Sequence, residues 1–141
     1  MKQPGILIAF IIFIAAVSFV LASEQYKHAK AKTVTLKGLN GIDRPGDPDG
    51  AGTLKYAVKA DQSQICYELS VSNIAQATGA KITDPVGTVV VSLQAPTNGF
   101  VKDCAQLDPD KIDRMLKNPS SYSVSVENSE CPGGAIKSQL R

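Results

Sequence analysis

Residues 64–71 read QICYELSV, and this stretch decides the class of fold. Every second residue is apolar, so Ile65, Tyr67, Leu69 and Val71 share one face of an extended chain. Residues 53–58 (TLKYAV) alternate in the same way, and a short polar stretch separates the two segments. The pattern predicts two neighbouring strands joined as a hairpin, each with one face against a core.

Further strands are predicted on both sides of this hairpin. They are residues 33–36 (TVTL), 86–93 (VGTVVVSL), 122–126 (YSVSV) and 135–140 (AIKSQL). The β-branched side chains of 86–93 favour a central strand. Turn-forming residues crowd the segments 38–52 and 132–134. These six segments and the turn signals between them predict an all-β fold of about seven or eight short strands, either an antiparallel sandwich or a barrel.

One short helix is predicted after residue 108. Asp108 is a good N-terminal cap, and Pro109 suits the first helical position. Apolar residues then recur three and four positions apart, at Ile112, Met115 and Leu116, and predict one buried face. Asn118-Pro119 ends the helix.

The first 22 residues are of a different kind. Residues 5–22 contain no charge, Lys2 precedes them, and Val20 and Ala22 provide small side chains before Ser23. This is the pattern of a secretory signal peptide cut after Ala22. The same apolar segment is long enough to serve, uncleaved, as a helical membrane anchor. A third alternative is a pilin-like or archaellin-like subunit cut after Gly5, which uses residues 6–22 for assembly.

Beyond residue 22 the sequence predicts one exported domain. Residues 23–31 are a polar linker, and residues 32–141 are long enough for one core and too short for two. Without Lys2, 14 basic residues stand against 13 acidic ones, so the net charge is about +1. That balance argues against nucleic acid as a partner. The prediction is a partner outside the cell or in its envelope, and contact with the membrane through residues 5–22 if they are retained.

Three cysteines, Cys66, Cys104 and Cys131, are an odd number for an exported domain, in which disulfides persist. None of them has the spacing of a metal-binding pair. The only histidine is His28, in the linker, so the domain lacks the base that a nucleophilic cysteine needs. We therefore predict no catalytic residue, no metal ligand and no cofactor.

Several fragments of the domain, taken in order, resemble one family. They are PGDPDGAGT at 45–53, CYEL at 66–69, LDP at 107–109, YSVSV at 122–126 and GGAIKSQL at 133–140. Their sequence and spacing are similar to those of the CHRD domain, a module named after chordin and common in exported microbial proteins. The resemblance runs from about Thr33 to Arg141. It implies a β-sandwich similar in shape to copper–zinc superoxide dismutase, and no established catalytic activity.

The chain departs from this family at positions that are histidines in many relatives. Lys81 and Thr83 stand in the Ala-His-Ile-His segment, and Glu127 stands at a later histidine. Three converging imidazoles would be plausible metal ligands, but a charged lysine has no lone pair to donate. Glu127 with Thr83 and Asp84 would at most hold a hard cation weakly. We predict instead an ion pair between Lys81 and Glu127.

The resemblance also implies a disulfide between Cys66 and Cys104, since relatives often have cysteines at both positions. Cys131 then remains either as a small buried residue or as a competitor for Cys104. A separate candidate is the loop with Asp43, Asp47 and Asp49, whose spacing is like that of calcium loops without their terminal Glu. The alternative is that these aspartates only form turns.

Three functions remain at this point. The leading prediction is a non-enzymatic, exported binding or structural domain at the cell surface. The second is a metal-dependent, dismutase-like protein, although the family histidines are absent. The third is the filament subunit described above.

Overall fold

The computed structural model describes residues 30–38, 40–41 and 44–141. The signal-peptide, anchor and filament predictions for residues 1–22, and all but the end of the linker, lie outside these residues. No helix among the described residues has both the length and the apolar character needed to cross a membrane.

The described chain forms ten strands. They are β1 (Lys32–Gly38), β2 (Asn40–Gly41), β3 (Arg44–Pro45), β4 (Ala51–Lys59), β5 (Gln64–Ser72), β6 (Ala77–Thr83), β7 (Val89–Leu93), β8 (Phe100–Gln106), β9 (Ser123–Asn128) and β10 (Ile136–Gln139). Strands β2 and β3 pair only with each other. The other eight form one antiparallel sheet in the order β7-β6-β9-β10-β1-β4-β5-β8.

This eight-stranded sheet folds over until its two end strands, β7 and β8, contact each other. One hydrogen bond crosses the junction: the backbone N–H of Gln94, just after β7, donates to the phenolic oxygen of Tyr67 on β5 at 2.7 Å. The predicted all-β, antiparallel class is therefore confirmed, as a single sheet that nearly closes on itself.

The core lies between the facing halves of the folded sheet. In strands such as β1, β4 and β5 alternate residues are buried, as the sequence pattern predicts. The largest fully buried apolar side chains are Leu36, Leu54, Ile65, Leu69, Ile82, Met115, Ile136 and Leu140. Burying one such side chain stabilises the fold by about 1.5–3 kcal/mol. Both halves of the sheet contribute, so neither half is a stable unit alone.

A helix, α1 (Pro109–Lys117), covers one end of this core. Asp108 caps it as predicted, because its carboxylate accepts a 3.0 Å hydrogen bond from the Asp110 N–H. Ile112 and Met115 are buried, but Leu116 is 48% exposed. The prediction that Leu116 shares the buried face was therefore wrong: the helix is short and only its 112/115 edge reaches the sheet.

At the C-terminal end of β1, the backbone of the following loop packs closely against Gly38. The segment after β3 turns at Pro48–Asp49, and the Gly38 N–H donates to the carbonyl of Gly50 at 3.0 Å. A Cβ on Gly38 would lie 1.6 Å from the carbonyl oxygen of Asp47. Only glycine permits this contact, which holds residues 47–50 against the end of β1.

Two further predictions need correction. Residues 86–93 are not a central strand: residues 85–87 form a turn, β7 begins at Val89, and it lies at the end of the sheet. Val86 is 86% exposed. The carboxylate of Asp84 holds this turn by accepting hydrogen bonds from the N–H groups of Val86 and Thr88. Strands β6 and β8 are also present where the sequence pattern predicts none.

Candidate functional site

Two of the positions that are histidines in relatives meet on the outer face of the sheet. The Lys81 ammonium, on β6, forms an ion pair with Oε1 of Glu127 on the neighbouring strand β9. Their side chains are 33% and 22% exposed, so the pair is only partly screened by water. The predicted ion pair is confirmed.

The third such position lies too far away to join them. Thr83 is opposite Ser123 in the β6–β9 ladder, whereas Glu127 is opposite Gly79. Four residues along a strand span roughly 13 Å. The three family positions therefore do not converge on one point. Asp84 is engaged in its own turn, so Glu127, Thr83 and Asp84 do not form one group of ligands. In the described residues no three His, Cys, Asp or Glu side chains are placed to hold a metal ion.

The acidic loop is a turn held by backbone hydrogen bonds. The Asp47 N–H donates to the carbonyl of Ala135 at 2.9 Å, and the Gly50 N–H donates to the carbonyl of Asp47 at 3.0 Å. A side-chain hydrogen bond with Asp49 raises the pKa of Asp47, and the negative charges of Asp49 and Glu130 raise it further. The described part of the loop is thus a backbone turn with Asp47 and Asp49 side by side. Asp43 lies outside the described residues.

The structure contains the disulfide that the family resemblance implies. Cys66 on β5 and Cys104 on β8 lie directly opposite each other in the ladder and are covalently joined. Cys131 is a free, half-buried thiol. Its N–H donates to the side-chain oxygen of Asn128 at 2.7 Å, within the loop between β9 and β10. Cys131 therefore does not compete for Cys104 in this fold.

A shallow groove of about 430 Å³ runs over the disulfide on the outer face of β4, β5 and β8. Small or apolar groups form its floor: Ala31, Ala57 and the disulfide itself. The next row of side chains across these strands is charged. Lys102 pairs with Glu68 at 3.1 Å, and Lys55 lies opposite Glu68 on its other side. We name this surface the disulfide groove.

A second depression is lined by polar side chains and encloses about 410 Å³. It lies outside β6, β9 and β10, between the turn after β6 and the short 3-10 turn before β9. The side chains that give it chemistry are Thr83, Asp84, Ser120, Ser121, Ser123, Lys137 and Gln139, so the Asp84 carboxylate lines it as well as the Lys137 ammonium. We name this surface the polar cleft. It can donate and accept hydrogen bonds, and Lys137 gives it a positive charge.

Like charges lie side by side at the edge of the polar cleft. Lys137 on β10 is directly opposite Lys37 on β1, and both side chains are exposed. Neither takes part in an ion pair with any described residue. Like charges directly opposite each other destabilise a sheet. The arrangement therefore favours an anion close to the two ammonium groups.

Neither surface could be found from the sequence. The polar cleft draws on three strands and two turns that are up to 56 positions apart, and serine and threonine at alternate strand positions are ordinary for a solvated face. The one informative feature is that Lys37 and Lys137 lie opposite each other. This can be recognised only when the register between β1 and β10 is known.

Comparison with known proteins gives one result. The model of the family described as CHRD domain matches residues 32–140. No curated protein and no solved structure matches the chain. The likeness in shape to copper–zinc superoxide dismutase therefore stays a prediction.

Proposed function

Since the chain belongs to the CHRD domain family, we propose that it is an exported, non-catalytic binding module that holds an anionic, hydroxyl-rich ligand at the cell surface. The observation that carries the proposal is the opposition of Lys37 and Lys137 beside the polar cleft. An acidic polysaccharide has the matching chemistry, because it presents carboxylates to the lysines and hydroxyls to the serines, Thr83 and Gln139.

An extracytoplasmic location is supported by the disulfide. Cys104 is exposed, and its bond to Cys66 would not persist in a reducing cytoplasm. The export pattern of residues 1–22 points to the same compartment. Whether the apolar segment is removed or retained changes only how the module is held at the surface.

The binding test uses the full-length protein and two defined polymers. Titration calorimetry with polygalacturonate, a polymer of uronic acids, should show binding that weakens as salt is raised. Dextran, which is neutral, should not bind. Lys137→Gln and Lys37→Gln should each weaken binding about tenfold, whereas Lys111→Gln, on the exposed side of α1, should leave it unchanged. Equal affinity for the three variants, or no binding of polygalacturonate, would contradict the proposal.

A second readout distinguishes a binding site from an accidental pair of lysines. Without ligand, replacing either lysine should stabilise the fold by about 0.2–1 kcal/mol, because the repulsion across the ladder is removed. Urea unfolding measures this gain. A variant that becomes more stable and binds polygalacturonate less well shows that the two lysines lower stability but contribute to ligand binding. Stabilisation without any loss of binding would count against the proposed site.

A further inference from the structure

The Cys66–Cys104 disulfide is placed where a dissolved thiol can reach it. It lies on the outer face of the sheet, in the floor of the disulfide groove. Cys104 is exposed and Cys66 is half-buried. The crosslink therefore faces solvent.

The crosslink also joins two residues that the backbone already holds together. Cys66 and Cys104 lie within a β5–β8 ladder of seven paired positions. Breaking the sulfur–sulfur bond leaves those backbone hydrogen bonds in place. Since β8 is the end strand of the sheet, its other edge has only the contact with β7. Reduction would therefore loosen one strand and leave the fold intact.

We propose that this disulfide is a thiol–disulfide exchange site, attacked at Cys104 by an external dithiol while the domain remains folded. A thiolate of the dithiol bonds to Sγ of Cys104, the sulfur–sulfur bond breaks, and Cys66 leaves as a thiolate and takes up a proton. The second thiolate of the dithiol attacks its own sulfur in this mixed disulfide and releases Cys104, which is protonated. Two electrons and two protons pass to the protein, and the dithiol becomes a disulfide.

The shape of the disulfide groove suits this attack. Ala31 and Ala57 leave room beside the sulfurs, and to one side lie the Lys102–Glu68 ion pair and the positive charge of Lys55. An extended peptide that carries the attacking dithiol fits along the strands. The loop closed by the disulfide, with a sequence separation of 38, favours the oxidised form. A strongly reducing dithiol in excess is therefore needed.

The test measures reduction of the full-length protein by dithiothreitol, with and without guanidinium. The native rate should be within about tenfold of the denatured rate and proportional to the reductant concentration. Far-UV circular dichroism should remain native, and hydrogen exchange should rise within residues 100–106. With glutathione, peptide mapping should find the mixed disulfide on Cys104. Native reduction a thousandfold slower than in denaturant would overturn the proposal, as would reduction that requires global unfolding.

Two matched variants separate groove access from general stability. Ala57→Tyr places a large side chain beside Cys66 and should slow native reduction at least tenfold, with no effect in denaturant. Thr53→Tyr, exposed on the same face of β4 but outside the groove, should not slow it. Equal rates for the two variants would show that the groove does not admit the reductant. Cys131→Ser should change neither rate, since Cys131 takes no part.

Discussion

The phenolic oxygen of Tyr67 accepts a 2.7 Å hydrogen bond from the backbone N–H of Gln94, and this bond joins β5 to the chain just beyond β7. Tyr67 is only 3% exposed. Its hydroxyl lies at the junction of the two end strands of the sheet. β7 and β8 form no ladder of backbone hydrogen bonds with each other.

Removing this hydroxyl should weaken the junction selectively. Tyr67→Phe leaves the Gln94 N–H without its partner and should cost about 1–2 kcal/mol in urea unfolding. Hydrogen exchange should increase within residues 89–94. The matched control is Tyr56→Phe, which removes a 2.7 Å bond to the carbonyl of Arg141 at the chain end. It should destabilise the fold without raising exchange in β7; the same exchange pattern in both variants would refute a special role for Tyr67.

Alkaline pH should destabilise the fold through both buried tyrosines. Burial is the main cause that raises the pKa of Tyr56 and of Tyr67 above 10.0, the usual value. The folded protein keeps these protons longer than the unfolded chain does. Their contribution to stability is complete below pH 10 and is lost as the pH rises towards the raised folded-state pKa. The loss approaches about 1.4 kcal/mol per tyrosine for each pH unit in that window.

Absorbance at 295 nm, followed together with circular dichroism, measures this effect. Ionisation of the two tyrosines should coincide with loss of the fold. The double variant Tyr56→Phe with Tyr67→Phe should lose less stability per pH unit above pH 10 than the wild type, although it is less stable at pH 7. An unchanged slope would show that other groups cause alkaline unfolding.

Gly38→Ala should be among the most damaging small substitutions in the domain. The new methyl group would overlap the carbonyl of Asp47, which is backbone and cannot rotate away. We expect the free energy of unfolding to fall by about 1–3 kcal/mol, measured by thermal or urea unfolding. Gly79→Ala on β6 is the control, because its Cβ would meet only the end of the flexible Glu127 side chain at 3.2 Å. If the two alanines cost the same, the loop does not pack on β1 as described.

The Lys81–Glu127 ion pair should show a measurable coupling energy. Lys81→Met leaves the partly buried Glu127 carboxylate without its partner. It should therefore destabilise the fold more than the double variant Lys81→Met with Glu127→Gln does. A double-mutant cycle should give a coupling of about 0.5–1 kcal/mol. The more exposed pair Lys102–Glu68, at 72% and 36%, should give less. A larger coupling for the exposed pair would contradict the burial argument.

The sequence pattern predicts the strands that alternate cleanly and fails for those that do not. In β4 and β5 every second residue is buried, so period two is visible in the sequence. In β6 the register shifts between Ala77 and Gly79, which breaks the alternation. In β8 the inward-facing Asp103 is exposed, because the sheet is open at this strand. A charged residue therefore occupies a position where the alternating pattern would have an apolar one.

One local turn and one long-range strand pairing account for the rest of what sequence reasoning missed. The β-branched residues of 86–93 resemble a buried strand, but Asp84 binds two N–H groups of the segment and makes its first part a turn. The ion pair of Lys81 with Glu127 was predictable from the family positions alone. The opposition of Lys37 and Lys137 was not, since strands far apart in the chain must first be aligned.

Tyr56 has a consequence for how the domain can be re-engineered. It pairs with Lys32 at the start of β1, and its hydroxyl donates to the carbonyl of Arg141. The entry and exit points of the folded chain therefore lie at the same pole of the molecule. A short peptide joining them would give a circular permutant, with new ends opened in the exposed segment at residues 60–62. Such a permutant of residues 32–141 should keep the whole sheet.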